Sequence, residues 1–210
     1  MNNIFDDFCS GRSEFYLEHC QQSGLKAVIA ICNGGQGPAL GGCRVARYNN
    51  VSDAMAEAHA LAATMQHKSA IHGLPFCGGK AVIMAPDVIA DRTEFFNAFG
   101  RFVDQLGGRY ITAMDSGVGK SDMNAIAEKT SYVTNFCQVG GAPSAYTAKG
   151  VAYGIQAAVA SKMKRDSLSG VRVLIQGVGK VGFELLKRMV AMGAEVIVSD
   201  NNRQKAERCA

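Results

Sequence analysis

Two lysines, Lys68 and Lys80, lie close together in an otherwise almost uncharged stretch, residues 65–82. Lysine is seldom buried unless it is paired or functional. An ammonium group in a partly dry cleft either binds an anion or, when its pKa is depressed, moves protons. Gly73 and Pro75 predict a loop that returns both lysines to the same end of a sheet. Two ordinary surface lysines remain the alternative interpretation.

Asp115 is a third candidate, because it follows a predicted strand, residues 110–114, and precedes a glycine-containing turn. Open α/β sheets bind ligands beyond the carboxyl ends of their strands. A carboxylate at this position can relay protons to and from a lysine amine. Aspartate is also a common turn and helix cap, so a capping role remains the alternative.

A glycine turn near the end of the chain predicts a dinucleotide site. Its Gly-x-Gly-x-x-Gly pattern comprises Gly177, Val178, Gly179, Lys180, Val181 and Gly182. A predicted strand precedes it, a helix follows, and a second strand ends at Asp200. The glycines allow a tight turn, close approach to a pyrophosphate and close helix packing, while the helix amino terminus offers free N–H groups. A tight turn that binds no ligand is the alternative.

Asp200 favours NAD over NADP as the dinucleotide. Its carboxylate would accept hydrogen bonds from the adenosine ribose hydroxyls, and its charge would repel a 2′-phosphate. Arg203, close behind it in the sequence, keeps this preference moderate.

The remaining pattern predicts alternating strands and helices, and therefore an α/β fold. Further predicted strands cover residues 25–32, 81–84 and 132–136, and predicted helices cover residues 52–68, 95–106, 120–129 and 146–163. Gly41 and Gly42, just before Arg44, allow either close backbone approach to a ligand or a β-bulge.

Composition excludes several classes of function. The net charge of +4 is spread over scattered basic residues, which argues against a nucleic-acid-binding surface. No apolar run is long enough to span a bilayer, and the acidic start lacks the layout of a signal peptide. The seven cysteines are odd in number, widely spread and without a Cys-x-x-Cys pair, which indicates free thiols in the cytoplasm. We expect no metal site, because the histidines have no carboxylate or cysteine grouping around them.

With these motifs together, the chain resembles the amino-acid dehydrogenases that act on leucine, valine, phenylalanine and, in some members, tryptophan. The resemblance begins near residue 11 and continues to the last residue. It is carried by residues 37–42 with Arg44, Lys68, residues 78–82, residues 100–103, residues 108–113 leading to Asp115, and the glycine turn at Gly177. It implies a substrate domain (residues 1–145), a Rossmann-type dinucleotide domain (residues 146–210) and a cleft between them.

The resemblance also implies the chemistry. Lys68 would bind the substrate carboxylate, with backbone from Gly42 nearby. Lys80 would be the catalytic lysine, and Asp115 would handle protons at the substrate amino group. The implied reaction is oxidative deamination, in which an L-amino acid, NAD and water give a 2-oxo acid, ammonium and NADH. The implied partners are these small molecules and further copies of the chain in a homo-oligomer, with the apolar strand at residues 25–32 as a candidate contact edge.

Two other interpretations stay open. Glutamate dehydrogenases share this layout, but Ala81 and Val82 follow Lys80 here, as in the enzymes for apolar substrates. The sequence also stops soon after Asp200, so the resemblance implies an incomplete Rossmann-type domain. A non-enzymatic remnant, serving only in assembly or weak amino-acid binding, is therefore the alternative to an active dehydrogenase.

Overall fold

The computed structural model describes residues 13–32, 34, 37–134 and 143–209. The chain divides into two compact units, Met1–Asn135 and Phe136–Ala210. The sequence-based division, between residues 145 and 146, lies slightly further along the chain.

The first unit is built on a five-stranded sheet with the order β1-β2-β4-β3-β5. Its elements are β1 (Ser13–Cys20), β2 (Leu25–Cys32), β3 (Ala39–Ala46), α1 (Val51–Ile71), β4 (Cys77–Met84), α2 (Arg92–Gln105), β5 (Tyr110–Met114) and α3 (Lys120–Ala127). Strands β3, β4 and β5 are mutually parallel where they pair, and β1 and β2 continue the sheet in antiparallel pairs. Strand β4 is central, and seven of its eight residues are buried.

Helices cover both faces of this sheet. On one face, the small residues Ala54, Ala58 and Ala62 of α1 pack against Val28, Ala30 and Val82. On the other face, the buried phenylalanines of α2 form a core with alternate residues of the same strands. Because side chains alternate along a strand, Lys80 and Val82 share the face that α1 covers.

The structure changes several predicted boundaries in the first unit. Strand β3 continues through Gly41 and Gly42, so these glycines lie within the ladder. Strand β4 begins at Cys77 and therefore contains Lys80, and α1 continues past Lys68 to Ile71. The ladder places β2 between β1 and β4, so the prediction that β2 is a contact edge was wrong. The unpredicted β1 pairs with β2 along its whole length and covers that edge.

The predicted strand at residues 132–136 is partly outside the described residues. Within the described part, Val133 forms an isolated parallel bridge with Thr112. The pairing is continued by Thr134, whose N–H donates to the carbonyl of Thr112 at 2.8 Å.

The second unit contains the predicted βαβ arrangement. Its elements are α4 (Pro143–Met163), β6 (Arg172–Gln176), α5 (Lys180–Ala191), β7 (Glu195–Ser199) and α6 (Arg203–Glu207). Strands β6 and β7 pair in parallel, as a crossover through α5 requires. Ile175, Leu185 and Met189 belong to the core of this unit. The sequence did not predict α6, a helix of five residues.

Two chemical features of the described residues complete the fold. Their cysteines are free thiols, as predicted: Cys20, Cys32, Cys43, Cys77 and Cys209. Among the helices of these residues, none has the length and apolar character needed to cross a membrane.

Candidate active site

The buried Lys80 forms an ion pair with the half-buried Asp115. The Nζ atom of Lys80 donates a hydrogen bond to Oδ2 of Asp115, and only 7% of the lysine side chain is exposed, against 22% of the aspartate side chain. The two residues come from the central strand β4 and from the loop after β5. The structure thus joins two of the three side chains that the sequence analysis expected to meet.

The pKa of Asp115 lies below its ordinary value. Burial opposes ionisation of the carboxyl group, but the hydrogen bond and charge of Lys80, the N–H of Ser116 and the charge of Arg44 together outweigh this effect. The Ser116 N–H lies 2.7 Å from Oδ1 of Asp115. Asp115 is therefore a carboxylate at neutral pH, ready to accept hydrogen bonds from a protonated amine.

Gly42 of β3 leaves the space that the pair occupies, and Gly41 lets β3 lie close to β4. A Cβ atom added to Gly42 would lie 2.8 Å from Cβ of Asp115 and 3.4 Å from Nζ of Lys80. At Gly41, an added Cβ would lie 1.6 Å from the carbonyl oxygen of Gly79. Any larger residue at these positions would push apart the strands or the two charged side chains.

Gly78 brings α1 onto the same site. A Cβ atom there would lie 2.1 Å from the carbonyl oxygen of Ala62. The Gly78 N–H also donates to Oε1 of Gln66 at 2.6 Å. Helix α1 is therefore anchored directly against the strand that carries Lys80.

The loop that carries Asp115 is held in place by a second ion pair. Arg92 donates from Nε and Nη2 to both carboxylate oxygens of Asp122, at 2.8 and 2.7 Å, and Asp122 is only 4% exposed. The same arginine donates to the carbonyl oxygen of Gly117 at 3.0 Å. Gly117 adopts a φ of +81°, where a side chain is unfavourable. These contacts fix the direction in which Asp115 leaves β5.

Sequence reasoning missed an extension of the charged pair. Nη1 of Arg44 lies 2.5 Å from Oε1 of Glu57, and Nε of Arg44 lies 3.5 Å from Oδ2 of Asp115. Tyr48 is close to Glu57, and burial together with that carboxylate raises the pKa of the tyrosine. The sequence analysis used Arg44 only as part of a glycine motif. Glu57 could have been noticed one turn after Ala54, beside the face of α1 that packs on the sheet.

Lys68, the predicted carboxylate-binding residue, is exposed. Its side chain has no hydrogen bond or ion pair with any of the described residues. Lys68 lies in the last turn of α1, on a side of the helix that is exposed to solvent. It is thus a charged group available to an anion, but the structure does not join it to Lys80 or Asp115.

The glycine turn of the second unit combines a tight turn with open space at its second glycine. Gly177 adopts a φ of +92°, and a Cβ atom at Gly182 would lie 1.9 Å from the carbonyl oxygen of Gly177. A Cβ atom at Gly179 would meet nothing within 4 Å. Gly179 caps α5 without a side-chain hydrogen bond, so the N–H groups of the first helical turn stay available to an anion.

Asp200 lies against this turn. One carboxylate oxygen accepts from the N–H of Val178 at 2.9 Å, and the other accepts from the N–H of Asn202 at 2.8 Å. The two N–H groups lower the pKa of Asp200, so it is ionised at neutral pH. Each oxygen keeps acceptor capacity for a further donor such as a hydroxyl group. Arg203, which could offset this charge, donates instead to Glu207 at 2.7 Å.

Within the part of the chain that the structure describes, no group of three or more His, Cys, Asp or Glu side chains could hold a metal ion.

Two family models match most of the chain. Residues 12–132 match the family described as "Glu/Leu/Phe/Val dehydrogenase, dimerisation domain", and residues 140–203 match "Glutamate/Leucine/Phenylalanine/Valine dehydrogenase". Leucine dehydrogenase of Bacillus subtilis is 43% identical over 91% of this chain and 54% of its own length. The chain thus spans about half the length of the curated relatives that it matches.

Two solved structures show the same architecture. The crystal structure of L-tryptophan dehydrogenase from Nostoc punctiforme matches with a TM-score of 0.67 and 35% identity, covering 93% of this chain and 55% of that one. A hetero-hexameric glutamate dehydrogenase from Thermus thermophilus matches with a TM-score of 0.69, 90% coverage of this chain and 50% of its own. At 21% identity, the second likeness concerns the fold alone. With its matches to both family domains and to leucine dehydrogenase, the chain belongs to the Glu/Leu/Phe/Val dehydrogenase family.

Proposed function

We propose that this chain takes part in NAD-dependent oxidative deamination of an apolar L-amino acid of the leucine, valine or phenylalanine type. The products would be the 2-oxo acid, ammonium, NADH and a proton. The observation that carries the proposal is the ion pair between the buried Lys80 and the half-buried Asp115. In a dehydrogenase of this family, such a pair would transfer protons at the carbon that loses its amino group.

The two side chains would divide the proton transfers between them. Oxidation of the α-carbon makes it electrophilic, and a water molecule must then attack it. Lys80, once deprotonated, would accept a proton from that water. Asp115, which is ionised and in contact with Lys80, would hold the substrate amino group and take up or return its protons.

Lys68 would bind the substrate carboxylate. Its ammonium group is exposed and makes no ion pair with the described residues, so no internal partner competes for an incoming anion. Gly42 would leave its backbone accessible beside the charged pair, since it is only partly buried. In this role Lys68 binds the substrate without taking part in proton transfer.

The glycine turn and Asp200 would hold NAD, which supplies the hydride acceptor when bound. The open space at Gly179 and the uncapped first turn of α5 suit a pyrophosphate. The ionised Asp200 suits a ribose with free hydroxyls and disfavours a 2′-phosphate.

An apolar substrate is favoured by the residues after Lys80 and by the relatives. Ala81 and Val82 are both buried in β4. The relatives with 30% identity or more include proteins named leucine and L-tryptophan dehydrogenase.

A homo-oligomer is also part of the proposal, since the first unit matches a domain described as a dimerisation domain.

The direct experiment follows NADH absorbance at 340 nm with the 210-residue chain, NAD and one amino acid at a time. We expect kcat/KM for leucine, valine or phenylalanine to exceed that for glutamate by more than tenfold. Faster turnover of glutamate would contradict the choice of substrate. A folded chain that forms no NADH with any of these amino acids would contradict the activity and favour a role in assembly or amino-acid binding.

A further inference from the structure

The Lys80–Asp115 pair is part of a longer row of alternating charges. Oδ2 of Asp115 contacts Nζ of Lys80 and lies 3.5 Å from Nε of Arg44. The other side of the same guanidinium, at Nη1, lies 2.5 Å from Glu57. The row therefore runs from β4 through the β5 loop and β3 to α1.

The Nε–H of Arg44 is an unused donor. Its nitrogen is buried and has no hydrogen-bond acceptor among the described residues, because 3.5 Å to Asp115 is at the limit of a hydrogen bond. A movement of about half an ångström would make this contact a charge-assisted hydrogen bond of ordinary length. Glu57 holds the other side of the guanidinium, at Nη1, while Asp115 Oδ2 lies 3.5 Å from Nε.

The proposed reaction creates a need for this donor. When Lys80 gives up its proton it also loses the charge that holds Asp115, and burial would then favour protonation of the carboxylate. The guanidinium of Arg44 keeps its charge throughout, because arginine is not deprotonated in proteins. It can therefore stabilise the carboxylate in the step in which Lys80 cannot.

We propose that Arg44 is a positioning residue that keeps Asp115 ionised and oriented while Lys80 exchanges its proton, with Glu57 fixing the guanidinium from α1. The inference rests on the proposed function, because it assigns Arg44 to a step of that reaction. Arg44 touches neither the substrate nor Lys80 in this role. It acts only through Asp115.

Other ionisable groups surround Asp115 and must be considered in any titration. They are Lys80 on β4, Arg44 and Cys43 on β3, Tyr48 after β3, Glu57 on α1 and Tyr110 on β5. Burial and nearby carboxylates raise the pKa of Tyr48, and burial raises the pKa of Cys43 to about 12, so both stay neutral near pH 7. Lys80, Arg44 and Glu57 are the charged neighbours that can act on Asp115.

The first test needs no turnover. Aspartate carboxyl groups of the full chain are labelled with 13C and titrated by NMR, and the Asp115 signal is assigned with Asp115→Asn. We expect Arg44→Gln to raise the titration midpoint of Asp115 by at least half a pH unit, or about threefold in its proton affinity. Arg47→Gln is the matched control, because Arg47 is 76% exposed and its Asp87 partner is 97% exposed. It should leave the midpoint unchanged.

A midpoint in Arg44→Gln within 0.2 pH unit of the original protein would overturn the proposal. If Asp115 of the original protein stays ionised at every pH at which the chain is folded, it has no measurable midpoint. A titration midpoint of Asp115 in the folded Arg44→Gln variant then counts as the expected shift.

Arg44→Lys is the substitute variant if Arg44→Gln does not fold. A lysine at position 44 retains the positive charge but cannot reach the carboxylates of both Asp115 and Glu57. We therefore expect kcat to fall about fivefold with KM within twofold, and an unchanged kcat would refute the positioning role.

The second test uses the proposed reaction. Removing a positive charge raises the pKa of every neighbouring ionisable group. The acid limb of the plot of kcat/KM against pH should therefore move to higher pH in Arg44→Gln. It should stay within 0.2 pH unit in Arg44→Lys and Arg47→Gln, and an unmoved limb in Arg44→Gln would contradict the proposal. If the chain oxidises no amino acid, the proposed function fails, whereas the NMR titration still decides whether Arg44 controls Asp115.

Discussion

Gly41 and Gly42 of the first unit and Gly179 of the second unit lack side chains for opposite reasons. In the first unit, side chains are absent from Gly41 and Gly42 because the protein itself fills the space, with backbone or side-chain atoms 1.6 to 2.8 Å from an added Cβ. In the second unit, an added Cβ at Gly179 would meet nothing within 4 Å. The first arrangement packs the strands and the Lys80–Asp115 ion pair closely together, and the second leaves open space beside the glycine. Glycine patterns therefore indicate function only when the space around them is known.

The largest effect is expected at the packed site itself. Lys80→Met keeps the length of the side chain and removes the amine, so proton transfer should be lost and kcat for leucine should fall about 10²- to 10⁴-fold. The measurement is the initial rate of NADH formation. Lys162→Met is the control, since Lys162 is exposed on α4, and it should retain full activity. Equal activity of the two variants would remove Lys80 from the mechanism.

Gly41→Ala tests the packed glycines through stability. The new Cβ would clash with the carbonyl oxygen of Gly79, so the strands must separate, at a cost of about 3 kcal/mol in the free energy of unfolding. Urea denaturation measures this change. Gly150→Ala, at an open position of helix α4, should instead stabilise the chain by roughly 0.5–1 kcal/mol. Comparable losses in both variants would contradict the distinction.

Gly179→Ala tests the open glycine through binding. Apart from its neighbours in the sequence, no described residue has an atom within 4 Å of the new methyl group, so the free energy of unfolding should change by less than about 0.5 kcal/mol. The methyl group would occupy space needed by the pyrophosphate, and the Kd for NAD should rise about tenfold. Calorimetric titration with NAD measures the Kd, with Gly150→Ala as the control. Unchanged NAD affinity would show that the open space is not the binding site.

The smallest expected effect is the response of the charged pair to acid. Because the folded state lowers the pKa of Asp115, the carboxylate stabilises the chain above the pKa of an unfolded aspartate, about 3.9. This contribution disappears as pH falls through the lower, folded pKa. Asp115→Asn should therefore show a weaker loss of unfolding free energy between pH 5 and pH 3, with Asp87→Asn, at an exposed position, as the control. Parallel curves for the original protein and Asp115→Asn would contradict the pKa shift.

The sequence predicted those parts of the molecule that depend on local pattern. The strand at Leu25–Cys32, the amphipathic helix of phenylalanines and the βαβ arrangement around Gly177 were all confirmed, because each has its own periodicity or turn residues. It did not predict β1, since this strand owes its place to pairing with β2 rather than to a marked alternation of its own. It also missed that β4 begins at Cys77, because glycines are weak strand formers and only the neighbouring strands make them part of the ladder.

In the candidate site too, the sequence predicted the features that depend on local pattern and missed those that depend on tertiary contacts. Lys80 and Asp115 could be selected because each has an unusual place beside a predicted strand. The contacts from Asp115 to Arg44 and from Arg44 to Glu57 depend on the order β4-β3-β5 and on α1 crossing that face, which no local pattern specifies. Lys68 shows the limit of the approach, since its place near a helix end could be predicted but its exposure could not.

The central claim is that Lys80 and Asp115 act as one proton-transferring unit, and a double-variant cycle tests it most directly. The kcat for leucine is measured for the original chain, Lys80→Met, Asp115→Asn and the double variant. Because each partner is useless without the other, the account predicts that the double variant loses no more than about threefold beyond the worse single variant. If the two losses instead multiply, or if either single variant keeps full kcat, the residues work independently and the account is contradicted.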